Sequence, residues 1–280
     1  MSDEVKRALV LSGGGGRGAY ECGVYKYLEE VGLVPDVLVG TSIGAINAAA
    51  IASGRGAEAL EAAWLRTRTR DIQRFWRWGP WRSIYDTSPW RETLEDFVDF
   101  EGLGRTEKRL LVTATEIETG QLRTFDNRET TLTVDHILAS CSIPLVYPWT
   151  QVGEYHYWDG AVMANTPLAG AIDAGADEIL VVLLSPFGER EIEPPRWPWK
   201  ALTVILDLAL SATYENDIRQ LETVNRLVAA EVDGKHRHVE CRVVTPSRET
   251  SLLRIIRYEP RVSRELIELG YEDAREVVEG

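Results

Sequence analysis

A serine between two glycines is the clearest candidate for chemistry in this chain. Residues 40–44 read Gly-Thr-Ser-Ile-Gly, after an apolar stretch typical of a buried strand end and before small residues typical of a helix. Ser42 is therefore predicted on the turn between strand and helix, where the flanking glycines permit sharp backbone angles and project the hydroxyl above a sheet. N–H groups at the start of that helix favour negative charge beside the hydroxyl. By itself the pentapeptide also fits a tight turn whose serine caps the helix.

A glycine-rich segment, Gly13–Gly18, forms a second candidate site. It lies between a predicted buried strand, Arg7–Ser12, and a predicted helix, Ala19–Glu30. One interpretation is that the glycines expose consecutive backbone N–H groups, which form an anion-binding nest. Because the first two strands can bring this loop beside Ser42, such a nest could hold the oxyanion of a reacting carbonyl.

The same loop also matches a nucleotide-binding pattern. Gly13, Gly15 and Gly18 fit Gly-x-Gly-x-x-Gly between a strand and a helix. A dinucleotide site also needs an acidic residue about 20 positions on, at the carboxyl end of the second strand. The candidate at that distance, Asp36, precedes the strand and is expected at the opposite edge of the sheet. A phosphate-binding loop is disfavoured too, because no Gly-Lys-Ser/Thr follows.

Arginine and tryptophan are concentrated between residues 64 and 91. This mixture suits a lipid interface, where indoles lie at headgroup depth and guanidinium groups pair with phosphate. It also suits a cap that packs its aromatic rings over the sheet, and we favour that interpretation because tryptophan is more often buried than membrane-anchored. The stretch has seven arginines (Arg66, Arg68, Arg70, Arg74, Arg77, Arg82 and Arg91) and five tryptophans (Trp64, Trp76, Trp78, Trp81 and Trp90).

The overall composition excludes several classes of protein. A formal net charge of -13 opposes nucleic-acid binding, which requires a basic surface. The three cysteines are scattered, which indicates a reducing compartment and no disulfide framework or zinc site. The acidic amino terminus shows no signal peptide, and the longest apolar run, near 201–210, is too short to span a bilayer. We therefore expect a cytoplasmic protein, with peripheral contact at membranes through residues 64–91 as an open alternative.

The remaining patterns alternate between strands and helices. They predict further strands at Arg109–Thr115, Leu122–Phe125, Val152–Trp158, Glu178–Leu184 and Glu240–Val244, a long helix reaching about Ala230, and a terminal helix capped by Ser263. We expect one domain over residues 1–280, a three-layer α/β/α fold with a largely parallel sheet. Residues 64–100 are expected to form a helical cap.

Three glycine-containing motifs now stand in one order: Gly13–Gly18, Gly40–Gly44 and Asp159-Gly160-Ala161. Their order and composition resemble those of the patatin-like phospholipase family. Residues 139–144 (Ala-Ser-Cys-Ser-Ile-Pro) and 165–167 (Asn-Thr-Pro) are also similar to segments of that family. The resemblance covers residues 8 to 184.

The resemblance implies a lipid acyl hydrolase with a Ser-Asp dyad, in which Ser42 is the nucleophile and Asp159 is the base, without metal or cofactor. It also implies that the glycine loop forms the oxyanion hole, for which we expect the N–H groups of Gly14, Gly15, Gly16 and Ile43. Gly13, Arg17 and Gly18 are expected to orient the loop or the substrate. For Arg17 we favour the loop over contact with a substrate phosphate. An ordinary aspartate is a weak base at neutral pH. Burial beside apolar rings would raise its pKa and strengthen it.

Four alternatives stay open at this point. A histidine base would come from His236 or His238, since in an ordinary α/β hydrolase the histidine follows the acid. The substrate could be a simple carboxylic ester instead of a lipid, and acyl-chain and headgroup preference are undetermined. The other two hypotheses are a nucleotide-binding oxidoreductase that uses the glycine loop and a non-catalytic lipid-binding protein.

Overall fold

The computed structural model describes residues 5–76, 83–186, 194–197, 221–230, 238–248 and 252–280, with isolated positions between 201 and 219. Trp78, Trp81 and His236, and most of the predicted long helix before Ala230, lie outside these residues. The strands are β1 (Arg7–Leu11), β2 (Val37–Thr41), β3 (Arg74–Phe75), β4 (Tyr85–Asp86), β5 (Arg109–Glu116), β6 (Gln121–Asp126), β7 (Thr150–Val152), β8 (Tyr155–Asp159), β9 (Glu178–Val182) and β10 (Glu240–Val244).

Helices flank these strands along the chain. They are α1 (Ala19–Glu30), α2 (Ile43–Ala52), α3 (Ala57–Arg66), α4 (Thr69–Ile72), α5 (Ser88–Phe97), α6 (Phe100–Leu103), α7 (Val134–Ser140), α8 (Leu168–Asp173) and the C-terminal helix (Pro260–Glu279). Short 3₁₀ turns occupy Gly15–Gly18, Gly160–Val162 and Leu252–Ile256.

Five parallel strands form most of the central sheet, in the order β10, β9, β1, β2 and β5. Alternate residues of β1 and β2 face opposite sides. Leu9, Leu11 and Leu38 pack with α1, α2 and the C-terminal helix, whereas Val10 and Val39 pack with α8. Because both faces are covered by helices, residues 8–11 of β1 and residues 37–39 of β2 are apolar without interruption. The predicted three-layer α/β fold with a largely parallel sheet is confirmed.

Antiparallel strands complete the sheet beyond β5. β6 pairs with one edge of β5, and β2 pairs with the other edge as far as Thr41. Beyond that point, β8 pairs with Ala114–Glu116 on the same edge as β2. β8 therefore continues the line of β2 from the opposite direction, and its last residue, Asp159, is paired with Ala114. This register brings the end of β8 to the end of β2.

The strand predicted at Val152–Trp158 is wrong in one respect. The segment is a hairpin, in which Thr150–Val152 and Tyr155–Asp159 pair in antiparallel fashion. Gly153 makes the turn with a φ of 61°, a left-handed conformation that favours glycine. Both arms are short, and the alternation of polar and apolar residues continues from one arm into the other. The sequence pattern therefore resembles that of a single strand.

The cap region packs two of its tryptophans inward. Trp64 on α3 and Trp90 on α5 are buried in the larger core cluster. The region also contains a two-stranded ribbon, β3 with β4, so it is not purely helical as we expected. Both rings pack against other aromatic side chains, Trp64 against Phe97 and Trp90 against Tyr147. A cap over the sheet stays a prediction.

Helix α1 and the C-terminal helix approach each other at their backbones. A Cβ atom on Gly23 would lie 2.0 Å from the carbonyl oxygen of Ile267, and one on Gly270 would lie 2.1 Å from that of Tyr20. Real Cβ atoms do not approach a backbone oxygen so closely, so glycine is required on both sides. The closest point of the interface is therefore set by two facing glycines.

Gly270→Ala should destabilise the protein by about 1–3 kcal/mol, because the added methyl group must push two packed helices apart. In an open helical position the same change is usually stabilising. Gly104→Ala is the matched control, since its Cβ would lie 3.5 Å from the nearest atom. Urea denaturation measures both variants, and equal midpoints would contradict the assigned contact.

Candidate active site

Ser42 lies on a strained turn between β2 and α2. Its φ is 56° and its ψ is -125°, and Leu145 is the one other non-glycine residue with positive φ among those the structure describes. The flanking glycines make the turn possible, since a Cβ on Gly40 would lie 2.6 Å from the Ala45 Cα and one on Gly44 would lie 2.3 Å from the Leu11 carbonyl oxygen. Strand and helix therefore meet too closely for any side chain at either glycine.

Ser140 fixes the backbone of Ser42. The N–H of Ser42 donates to the Ser140 Oγ over 2.8 Å, and both residues are buried. Ser140 ends α7, so a residue far along the chain stabilises the strained turn. No role was expected for Ser140 beyond its place in residues 139–144.

Asp159 reaches Ser42 from the end of β8. The Asp159 carboxyl group lies close enough to the Ser42 side chain for that hydroxyl to lower its pKa. It also accepts from the Ala161 N–H over 2.8 Å. Its backbone is held on both sides, because its N–H donates to the Ser142 carbonyl (2.9 Å) and its carbonyl accepts from Thr115 Oγ1 (3.0 Å). The structure thus brings together the two residues that the resemblance paired.

Burial changes the acidity of Asp159. Loss of water around the carboxyl group raises its pKa from 3.8 to about 7, against the opposing effects of the Ser42 hydroxyl and the Ala161 N–H. A carboxylate with this pKa can accept a proton near neutral pH and release it again.

The described histidines lie elsewhere. His136 is hydrogen-bonded to Thr133, His156 contacts Glu118, and His238 is exposed. His236 is outside the described residues.

Gly13 lies directly against Ser42. A Cβ on Gly13 would be 3.1 Å from the Ser42 Cβ and 2.6 Å from Asn165 Oδ1. The Gly13 N–H donates to the backbone carbonyl and to the Oδ1 of Asn165 (3.2 and 3.1 Å). Asn165 therefore anchors the start of the loop, a function that the sequence did not reveal.

The next N–H groups are candidates for anion binding. With the residues that the structure describes, the N–H groups of Gly14, Gly15 and Ile43 form no hydrogen bond. The first two lie on the loop that begins at Gly13, and Ile43 directly follows Ser42. Gly16, which we also expected to donate, is the second residue of the 3₁₀ turn.

A distant segment covers the other face of the loop. A Cβ on Gly15 would lie 1.8 Å from the Ile255 carbonyl oxygen, and one on Gly16 would lie 2.1 Å from that of Arg257. Gly15 also has a φ of 59°. These two glycines therefore admit the backbone of residues 252–257, a second reason for glycine that the sequence did not indicate.

Arg17 is buried beneath the loop. Its Nε donates to the Gly14 carbonyl (3.3 Å), and a guanidinium nitrogen donates to Ser185 Oγ (2.9 Å). The side chain is thus engaged with the loop itself. Gly18, at the end of the loop, packs against Ile43, whose Cγ1 would lie 2.5 Å from an added Cβ.

Within the described ranges, no three His, Cys, Asp or Glu side chains group as a metal ion would require. The groups that converge on Ser42 are instead one carboxyl group, one hydroxyl group from Ser140 and the backbone of two loops. This arrangement can activate a hydroxyl group and hold negative charge next to it.

Comparison with known proteins gives three kinds of match. The family model "Patatin-like phospholipase" matches residues 9–172, more than half of the chain. The "cGAMP-activated phospholipase" of Escherichia coli (strain TW11681) is 27% identical over 191 residues, 58% of this chain and 53% of that protein. The human "Patatin-like phospholipase domain-containing protein 6" is 44% identical over 69 residues, 25% of this chain and 4% of that protein.

A solved structure supports the fold. VipD from Legionella pneumophila aligns over 99% of this chain and 67% of its own, with a TM-score of 0.51 and 14% identity. At this identity the likeness concerns the fold alone. The chain spans about half the length of the E. coli relative and a small part of the human one.

At pH 8, Asp159→Asn should raise the free energy of unfolding by up to about 4 kcal/mol, because one pKa unit corresponds to about 1.4 kcal/mol. The unfolded chain releases the Asp159 proton near its ordinary pKa of 3.8, whereas the folded chain releases it near 7. Across this window the unfolded chain binds fewer protons, so the stability of the parent falls as pH rises. Urea unfolding at about pH 4 and pH 8 tests this expectation, and a gain of the same size at both pH values would contradict it.

Proposed function

The chain belongs to the patatin-like phospholipase family, and from this premise we propose that it is a serine acyl hydrolase that cleaves carboxylic esters of lipids. The observation that carries the proposal is the buried pairing of the Ser42 and Asp159 side chains, which lie close enough for Ser42 to lower the pKa of Asp159. It joins a nucleophile on a strained turn to a carboxylate of raised pKa, as a Ser-Asp dyad requires.

In the proposed reaction, Ser42 Oγ attacks the ester carbonyl carbon while Asp159 accepts the hydroxyl proton. The carbonyl oxygen becomes an oxyanion, which the N–H groups of Gly14, Gly15 and Ile43 hold, with Gly16 as a further donor in the same loop. When the tetrahedral intermediate collapses, the C–O bond to the alcohol breaks and Asp159 returns its proton to the leaving oxygen. Water then attacks the acyl-enzyme with Asp159 again as base, releasing the fatty acid and Ser42.

The pKa of Asp159 predicts the direction of the pH dependence. The base must be ionised before attack, so kcat/KM should rise with pH around a midpoint near 7. Assays on a soluble ester between about pH 5 and 9 measure this profile. Ser42→Ala should abolish turnover and labelling by a fluorophosphonate. Asp159→Asn should lower the rate by up to about 10⁴-fold.

The histidine alternative is tested by the same assay. Replacing His236 and His238 together with alanine should leave the rate within a few fold of the parent. A loss of about a thousandfold, as for a missing triad member, would assign the base to histidine.

The substrate class within lipid esters requires a direct assay. Phospholipids, lysophospholipids, neutral glycerides and simple esters should be compared, with the released acids identified by mass spectrometry. Release from phospholipid or lysophospholipid supports a phospholipase A or lysophospholipase, whereas turnover of simple esters alone supports the carboxylesterase alternative.

Two other classes of function are less well supported. A dinucleotide would need the face of Gly15 and Gly16 that the backbone of Ile255 and Arg257 covers. Calorimetry with dinucleotides tests that oxidoreductase hypothesis. A non-catalytic lipid-binding protein would bind vesicles without reacting with a fluorophosphonate.

We also propose transient contact between the cap region and a lipid surface. Trp64 and Trp90 are buried, so the contact would instead use Phe75 and Ile84, together with Leu145 from outside the cap region. These side chains are 68%, 50% and 74% exposed, respectively. The last two are neighbours, because the Ile84 N–H donates to the Leu145 carbonyl over 2.8 Å.

Positive charge accompanies these apolar side chains. Among the described residues of this region, the exposed arginines are Arg66, Arg68, Arg70, Arg74 and Arg91. An apolar patch beside cationic groups fits the interface of an anionic bilayer. No helix in the described part of the chain is long and apolar enough to cross a membrane.

Phe75→Ser with Leu145→Ser should reduce binding to vesicles of phosphatidylglycerol about tenfold, because each side chain loses apolar area to bury. Flotation in a Ser42→Ala background measures binding independently of hydrolysis. Val31→Ser with Val34→Ser is the matched control. These exposed residues precede β2 whereas Ser42 follows it, so they lie at the end of that strand away from Ser42. Equal loss in both pairs, or in neither, would contradict the assigned surface.

A further inference from the structure

A buried polar network lies behind the glycine loop, on three helices. Asn47 of α2 donates through Nδ2 to the Gly18 carbonyl (2.9 Å) and to Glu21 Oε2 of α1 (2.7 Å). Trp64 of α3 donates through Nε1 to Asn47 Oδ1 (3.0 Å). All four residues are buried, and the proposed reaction uses none of these side chains.

The network fixes the orientation of the Asn47 amide. The indole N–H of Trp64 can only donate, so the amide oxygen must face it and the amide nitrogen must face Gly18 and Glu21. The amide group therefore uses its oxygen and its nitrogen at once. A buried amide held in this way has one arrangement, which makes it a rigid connection between helices.

Glu21 contributes a buried carboxyl group. Complete burial raises its pKa well above the ordinary value, against hydrogen bonds from Asn47 and from the Ser12 backbone. Its Oε1 and the Oγ of Ser12 are buried and form no hydrogen bond with the described residues. Since Ser12 precedes Gly13, the carboxyl group lies where the glycine loop leaves β1.

The proposed oxyanion donors lie on two separate elements. Gly14 and Gly15 belong to the loop, whereas Ile43 begins α2. Both sets must be held within a fraction of an ångström for the oxyanion to be stabilised. Asn47 is one helical turn beyond Ile43, and it is hydrogen-bonded to the end of the loop at Gly18.

We infer that Asn47 and Glu21 are positioning residues, which set the distance between the glycine loop and the start of α2 and thereby align the oxyanion donors on Ser42. This inference rests on the proposed function. Trp64 extends the connection to α3, so the cap-side helix orients the amide that holds the loop. The residues act through backbone groups and do not touch substrate.

The test compares isosteric and conservative variants. Asn47→Leu removes all three hydrogen bonds, and Trp64→Phe removes one donor while keeping a ring. Glu21→Leu removes the carboxyl group, whereas Glu21→Gln keeps a neutral donor and acceptor. Tyr20→Phe is the matched control, because it deletes a buried hydrogen bond of α1 to Asp273 (2.9 Å) that lies outside the network.

The readouts are kcat and KM on a soluble ester, the rate constant of fluorophosphonate labelling, the pH profile and the melting temperature. Asn47→Leu and Glu21→Leu should lower kcat and the labelling rate about a hundredfold at unchanged KM, as expected for misplaced groups near the reaction. Glu21→Gln should restore the rate to within about threefold with the parent pH profile, since its amide oxygen keeps an acceptor for Asn47 Nδ2. Tyr20→Phe should lower the melting temperature without lowering kcat.

Several outcomes would overturn the inference. Variants that fold and react like the parent would exclude a positioning role, as would a Glu21→Gln variant as slow as Glu21→Leu. If Asn47→Leu does not fold, Trp64→Phe decides, and an unchanged labelling rate there counts against the inference. A parent chain that is not labelled overturns the proposed function as well, whereas a labelled parent with unaffected variants overturns this inference alone.

Discussion

The proximity of the Ser42 and Asp159 side chains is the interaction on which the site depends, and strand register creates it. Thr41 is paired with Thr113 of β5, and Asp159 is paired with the next residue, Ala114. Thr41 and Asp159 therefore occupy successive positions along one edge of β5. This places Ser42, which follows Thr41, next to Asp159, although the two are far apart in sequence. A shift of one residue in either pairing would turn the side chain to the opposite face of the sheet and separate the pair.

This contact is maintained at a cost in stability. Ser42 has a backbone conformation that is unfavourable for a residue with a side chain, and Asp159 has a carboxyl group with little access to water. The rest of the fold offsets both costs. The buried parallel strands hold the two loops, while hydrogen bonds from Ser42 to Ser140 and from Asp159 to Ser142 fix the backbone on each side. Strain and burial of this kind are typical of functional sites.

The glycines around the site serve different physical purposes. Gly40 and Gly44 let a strand, a turn and a helix meet at backbone distance, whereas Gly15 and Gly16 admit the carbonyl groups of residues 254–257. Gly13 leaves room for Asn165 and Ser42. The loop is thus enclosed by elements from both ends of the chain, which explains why its conformation can be rigid despite its composition.

The sequence by itself determined the order of the parallel strands and of helices α1 and α2, the turn at Ser42, the glycine loop and the buried parallel core. These features follow from local periodicity and from backbone preferences that neighbouring residues set. Only the tertiary structure decided the β7–β8 hairpin, the roles of Ser140 and Asn165, the cover over Gly15 and Gly16, and the contacts of Asn47 with Glu21. Each of these depends on register or burial between distant segments, and no local pattern records which distant backbone will lie against a given residue.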